Sequence, residues 1–435
     1  MNIILSLKRF PIIFMAGMII SAITSCNNDI SEVIWNKYND TCQRTILVYM
    51  IAANSLNLYG NDDIAEMQEA AINNGFNGNR LLIYHQQYSG TPVLKEIKSG
   101  TGKIEILKNY DNSVPSLTIE RMTEVFADTK NLAPADEYGL ILWSHSLGWI
   151  MGNKNISDTQ SISIGNNIAP LMFGEEKLSG NTFYMDIDEL STALADQNFN
   201  FIYFDCCYMA CVEVLYELRN VTRFIGASAA EVISEGMPYQ KALPYLFSPG
   251  QADIVGAINA TYQYIDAITG INRTGTFAIF DMQHMDRLAQ YTKDFYSFKP
   301  TADSTFQPQK FMYETTCYFF DFQHIIENLH LPDDADEDII EQFEISRQKV
   351  LDAIDALTIY KANTPFLWPT YGTHEVELKY FCGISSYYIT KYSQAQTRGY
   401  YFTSWWNDVS RYQFEAPDTS TQQDNLLANG YKIIL

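Results

Sequence analysis

Positive charge is scarce in this chain. Of its 435 residues, 29 are Lys or Arg against 51 Asp or Glu, a formal net charge of −22. Phosphate backbones are bound by clustered Lys and Arg, so nucleic acid is excluded as a partner, while a cationic substrate would be attracted. Paired cysteines are scarce too. The seven cysteines are 26, 42, 206, 207, 211, 317 and 382, and no Cys-x-x-Cys repeat occurs. Tetrahedral zinc needs paired Cys/His spacings, so no metal site is expected. Six cysteines remain beyond Cys26, an even number that permits disulfides in an exported protein. Repeats and low-complexity tracts are absent. What is present is 47% hydrophobic content, enough for a sizeable core in one large domain or two ordinary ones.

The N-terminus reads as a targeting segment. Lys8 and Arg9 precede an apolar stretch from Phe10 to Ile23, too short and too interrupted for a membrane span. It ends in Ile23-Thr24-Ser25-Cys26, which resembles a bacterial lipobox, where the Cys is lipidated and becomes the mature N-terminus. An ordinary cleaved signal is the alternative. Residues 1–26 are therefore expected to be a lipoprotein signal peptide and 27–41 a polar tether. The location expected is the bacterial cell envelope, with the protein lipid-anchored at the outer membrane or periplasmic face.

Strands and helices alternate in the pattern that follows. Arg44–Ile51, Arg80–Tyr84, Tyr138–Trp143, Phe199–Phe204 and Phe224–Ser228 are short apolar runs that read as buried strands. Helices are expected from Asp62-Asp63 onward, over Ile119–Ala127, over Ile187–Leu194 and over Met209–Leu218. Residues 151–182 read as a long loop or inserted hairpin. The alternation predicts an α/β fold with a largely parallel sheet and helices on both faces. Past about residue 300 the pattern changes to a long helix over Asp333–Leu357 and a strand-like run over Phe381–Thr390. Two regions are expected: a main domain over 42–300 and a C-terminal α+β region over 301–435 packed on it.

His145 follows one buried strand and Cys207 another. Ligands of open α/β sheets bind at the C-terminal strand edge, and side chains there can meet if their strands are neighbours. A thiol needs deprotonation to become a good nucleophile, and an imidazole can take its proton and return one to a leaving amine. A helix starting just after Cys207 would further favour the thiolate.

The local sequences carry a resemblance. Asp205-Cys206-Cys207-Tyr208-Met209 followed by Val212-Glu213 resembles the nucleophile motif of the clostripain-like cysteine peptidases, which usually have Ala where Cys206 stands. Trp143-Ser144-His145-Ser146-Leu147-Gly148-Trp149 resembles their His motif. Leu47–Met50 with Ala52-Ala53-Asn54-Ser55-Leu56, and Gly383-Ile384-Ser385-Ser386-Tyr387-Tyr388, are similar to the family's opening and C-terminal segments. The resemblance runs from about residue 44 to 410.

It implies a caspase-like αβα sandwich over the main domain and cleavage after a basic residue. His145 would be the base and Cys207 the nucleophile of a thioester mechanism, with the neighbouring Cys206 pointing away. The oxyanion would be held by the backbone N–H groups of Cys207 and Ser146, where Ser146 replaces the usual Gly and could demand a different φ. A buried guanidinium must be paired, and the resemblance offers Asp205 with Glu235 or Glu231 as its partners. Asn54 matches a cleft-lining position, though a loop-capping Asn is an equal reading. Processing sites between His and Cys would be Lys154 and Lys177. No cofactor is expected, save that calcium, which some of these enzymes require, would find its acids in Asp333–Asp338. The implied molecule is a monomeric, lipid-anchored endopeptidase acting on peptides or proteins. The altered Ser146, with Ala229 where the family has an acid and Met237 where it has Trp, leaves open a weakened enzyme that only binds, or one with a non-basic preference.

Overall fold

The backbone of β1 (Cys42–Ile51) shows how the sheet is built. Ile46, Val48 and Met50 enter one core, while Leu47, Tyr49 and Ile51 enter a second on the opposite face. Alternating side chains of a strand point to opposite faces, so a strand apolar at every position must be covered on both. The computed structural model describes residues 41–150, 173–312, 317–367 and 375–414, with two short backbone pieces at 163–164 and 167–168. The lipobox Cys26, the tether and Lys154 lie outside the described residues.

The remaining sheet strands are β2 (Arg80–Gln86), β3 (Val93–Ile97), β4 (Ile104–Asn109) and β5 (Ala135–Trp143). A hairpin of β6 (Phe173–Leu178) and β7 (Asn181–Met185) stands apart, and β8 (Phe199–Asp205), β9 (Thr222–Ala227), β10 (Thr276–Asp281) and β11 (Thr358–Asn363) complete the set. The nine-stranded order is β11-β10-β9-β8-β5-β1-β2-β3-β4. Strands β9, β8, β5, β1 and β2 are parallel, and two antiparallel strands flank them on each side. The fold is thus mixed α/β with a mostly parallel central sheet, as expected. One face is covered by α1 (Asn57–Asn73), with Ile64, Met67, Ala70 and Ala71 turned inward. The other face carries α2 (Ile119–Leu132) and α3 (Ile187–Leu194). Residues beyond 300 contribute β11 to the edge of this same sheet and the long α5 (Glu337–Leu357) packed against it, while α4 (Val212–Glu217) follows β8.

Three local expectations are corrected. Helix α1 begins at Asn57, before Asp62-Asp63, because Asn54 Oδ1 accepts the Leu56 N–H and turns the chain early. Asp63 is consequently no N-terminal acid; it is buried and accepts the Trp143 indole N–H at 2.7 Å. Helix α4 begins at Val212, so four residues of turn separate it from Cys207. The run Phe381–Thr390 pairs only at Ser385–Ser386, against Phe320–Asp321, after Gly383 breaks the strand with φ 98°. The acidic run near 333 leads into α5, whose N-cap is Asp336. Among the described residues all six cysteines are free, and no helix is long and apolar enough to cross a membrane.

Candidate active site

Strands β5 and β8 are neighbours, and Trp143 is the register partner of Asp205. Two residues beyond each come His145 and Cys207, which therefore leave the same sheet edge at equivalent heights. Both are half-buried, whereas Cys206 is fully buried, its thiol pushed well up by burial. Of the two adjacent thiols, Cys207 is the one within reach of a ligand.

The turn after Cys207 is tightly held. Tyr208 adopts φ 59°, a region costly for a residue with a Cβ. Its ring stacks on Phe319 with centroids 4.6 Å apart, and its N–H donates to the Ala230 carbonyl at 3.0 Å. Ala210 N–H donates to Ser228 O, and Ser385 N–H donates to Ala210 O, both at 2.9 Å. Glu213 on α4 accepts from Tyr387 N–H (2.9 Å) and Tyr400 O–H (3.1 Å), tying the turn to the C-terminal region. Burial pushes the Glu213 carboxyl up to about 7.

The His145 turn is fixed as firmly. Gly174 N–H donates to His145 O at 2.8 Å, and Ser146 bridges to Phe173. Ser146 does not take a positive φ; Gly148 does, at 60°. Ser146 Oγ donates to the Cys207 carbonyl at 2.5 Å, so the residue standing for glycine laces the two turns together. Among the described residues the backbone N–H groups of Cys207 and Ser146 donate to no protein acceptor.

Thiol and imidazole do not hydrogen-bond to each other. Cys207 Sγ accepts from Val232 N–H at 3.3 Å, and His145 Nε2 meets Ser55 Oγ at 2.8 Å. Burial, then the Glu231 charge, pushes the Cys207 thiol up, while burial pushes the His145 imidazole down. The expected stabilisation by a helix start is missing because α4 is short and remote. Both shifts favour the uncharged thiol and the uncharged imidazole at rest.

A pocket opens next to Val232, the residue whose N–H donates to the Cys207 sulfur. Its polar lining includes Asp205, Glu231 and Thr276, and its walls include Ile233, Ile258 and Phe277. Asp205 is buried and accepts from Met237 N–H (3.1 Å) and Tyr239 O–H (2.9 Å). Burial raises its carboxyl to about 6, those two donors working the other way. Beneath it, burial and the Asp205 charge raise Asp63 to about 9. Of the two further acids, Glu231 lines the pocket, whereas Glu235 is exposed and does not. Ala229 and Ala230 are buried, their N–H groups donating to Thr276 Oγ1 at 3.0 Å each.

Asn54 does not line the cleft. It is fully buried, and its amide donates to Ile51 O, Ser144 Oγ and Glu175 O while accepting from Leu56 N–H. No group remains for a substrate, and the loop-capping reading is the one realised. Lys177 lies within β6, its N–H bonded to Ala53 O and its ammonium 3.0 Å from Glu175. No cluster of three His, Cys, Asp or Glu poised for a metal occurs among the described residues. The residue sequence reasoning passed over is Ser55, quoted only within the opening motif; its single further signal was its place just past a central strand.

The clostripain family model matches residues 48–320. An inactive zymogen C11 protease from Parabacteroides distasonis is 26% identical, over 85% of this chain and 98% of that one, with a TM-score of 0.68. A secreted C11 cysteine protease from Bacteroides thetaiotaomicron, solved with an irreversible peptide inhibitor, is similar in fold at 24% identity. Its match covers 84% of this chain and 99% of that one, with a TM-score of 0.68. No curated protein matches significantly.

Proposed function

The chain belongs to the clostripain family of cysteine peptidases, and from that premise we propose that it is a lipid-anchored endopeptidase cleaving after Arg or Lys. Cys207 would be the nucleophile and His145 the base. The observation carrying this reading is the pocket reached through Val232, the Cys207 neighbour, apolar along its walls and lined by the carboxylates of Asp205 and Glu231. An Arg or Lys side chain has that composition, an apolar stem under a cationic head. A relative of the same fold was solved with an irreversible peptide inhibitor, which supports reading this cleft as a peptide site.

In this reading the scissile carbonyl enters between the two turns. His145 takes the Cys207 thiol proton as the sulfur bonds to the carbonyl carbon. The oxyanion receives the N–H groups of Cys207 and Ser146, which have no partner among the described residues. The imidazolium returns the proton to the leaving amine, and the C–N bond breaks to give a thioester. Water, deprotonated by the same imidazole, then releases the acid and the thiol.

An Arg-containing fluorogenic peptide tests it. Wild type should hydrolyse the peptide, Cys207→Ala should abolish turnover and Cys206→Ala should largely spare it. Full activity of Cys207→Ala would sink the assignment. The raised thiol favours one other reading, a binding module that has lost turnover; a wild type both inactive and unlabelled by a thiol-reactive peptide would select it. A peptide-library profile without Arg or Lys at P1 would keep the peptidase and discard the basic preference. The anchor is tested separately, by detergent partitioning of wild type against Cys26→Ala.

A further inference from the structure

The junction of β1 and β5 is where the sheet's connections change direction: the chain leaves β1 for β2 on one side, while β5 lies on the other. Loops diverging from such neighbours open a crevice at the strand ends. Ser55, just past β1, reaches across that crevice to His145, just past β5, with Oγ 2.8 Å from Nε2. The Ser55 side chain is exposed, yet its loop is not free. Asn54 fastens it with four hydrogen bonds, and Ala53 O accepts the Lys177 N–H at 2.8 Å. Ser144 Oγ closes the base of the crevice by donating to Ile51 O at 2.9 Å. The hydroxyl is therefore presented to the ring by rigid backbone on both sides.

A neutral imidazole carries one proton, and its partner decides which nitrogen holds it. A Ser hydroxyl can donate or accept. Only as an acceptor can Ser55 keep its bond when the ring takes a second proton, and the bond then becomes charge-assisted. His145 Nδ1 makes no hydrogen bond among the described residues. We propose that Ser55 is a positioning residue for peptide hydrolysis: it accepts from His145 Nε2–H, fixing the tautomer whose bare Nδ1 receives the Cys207 proton. This inference rests on the reading of His145 as base.

The experiment compares wild type, Ser55→Ala and Ser55→Thr. With an Arg fluorogenic peptide, Ser55→Ala should lower kcat about 10- to 100-fold with KM unchanged. Its acid limb should move to lower pH, since the imidazolium loses an acceptor, and Ser55→Thr, which keeps the hydroxyl, should recover most of the rate. A Ser55→Ala enzyme at or above the wild-type rate, a loss confined to KM, or a Thr variant no better than Ala overturns the proposal. Nitrogen-15 NMR of histidine-labelled resting protein reads the tautomer without turnover. Nε2–H in wild type and a mixture in Ser55→Ala support the proposal; Nδ1–H in wild type refutes it. A wild type that cuts no peptide but shows the Nε2–H tautomer fails the peptidase assignment, not the Ser55–His145 one.

Discussion

Trp143 and Asp205 face each other across the β5–β8 ladder, and the side chain of one binds a buried acid whose charging the other opposes. The Trp143 indole donates to Asp63, and the Asp205 charge adds to the burial that raises the Asp63 carboxyl. The strand ends that present His145 and Cys207 thus rest on two buried acids, of which Asp63 holds its proton more tightly.

Charge selection in the pocket should depend on pH. Asp205 is raised to about 6, so it is anionic above that pH and neutral below it. Asp63 stays protonated through this window and adds no charge of its own. As pH falls through about 6, KM for an Arg peptide should rise about 10- to 100-fold, the worth of one charged hydrogen bond. KM for the matching citrulline peptide should stay level. Asp205→Asn should show the low-pH behaviour at every pH. Parallel Arg and citrulline titrations check this.

Asn54→Ala separates a loop clamp from a substrate contact. The change strands the Glu175 carbonyl and the Leu56 N–H and leaves Ile51 O to Ser144 Oγ alone, which should cost about 2–3 kcal/mol of stability. Because the same loop presents Ser55, kcat should fall while KM holds. Denaturant melts alongside steady-state kinetics decide; a KM effect at full stability would restore the cleft-lining role.

Gly148 should tolerate no side chain. Its φ is +60°, and a Cβ there would stand 2.7 Å from the Phe319 ring and 2.8 Å from the Tyr208 carbonyl. Gly148→Ala should destabilise by about 2–4 kcal/mol, combining left-handed backbone cost with overpacking. Because Tyr208 follows Cys207, activity should fall more than the melt alone predicts.

Glu213 links stability to pH. Its carboxyl is raised to about 7 in the folded chain by burial, so the fold holds that proton more tightly than the unfolded chain does. The stability gained is complete below the unfolded pKa and is lost as pH rises through about 7. Glu213→Gln, which keeps an acceptor for Tyr387 N–H, should match wild type near pH 4 and be more stable at pH 8 by about 2–3 kcal/mol. Chemical denaturation at the two pH values measures it.

The strands and the neighbourhood of His145 and Cys207 were legible because buried parallel strands leave continuous apolar runs, and those runs end where chemistry begins. Helix starts were less so: α1 and α4 are displaced by Asn54 and Tyr208, whose effects depend on partners distant in sequence. The choice between Glu231 and Glu235 could not be read, since both sit in one polar stretch and only packing turns Glu231 into the pocket. Ser55 was illegible for the same reason. A lone Ser after a strand has no pattern, and its meaning comes from β5 lying alongside β1.

The ladder between β5 and β8 also means that the covalent link through residues 151–172 is not what holds His145 opposite Cys207. Five register pairs hold the two strands together without it. The hairpin strand β6 is secured independently, by Gly174 to His145, Lys177 to Ala53, and Glu176 to Ser116 and Leu117. A nick anywhere between 151 and 172 would therefore give two fragments on a denaturing gel and one particle in solution, with both halves of the cleft still facing each other.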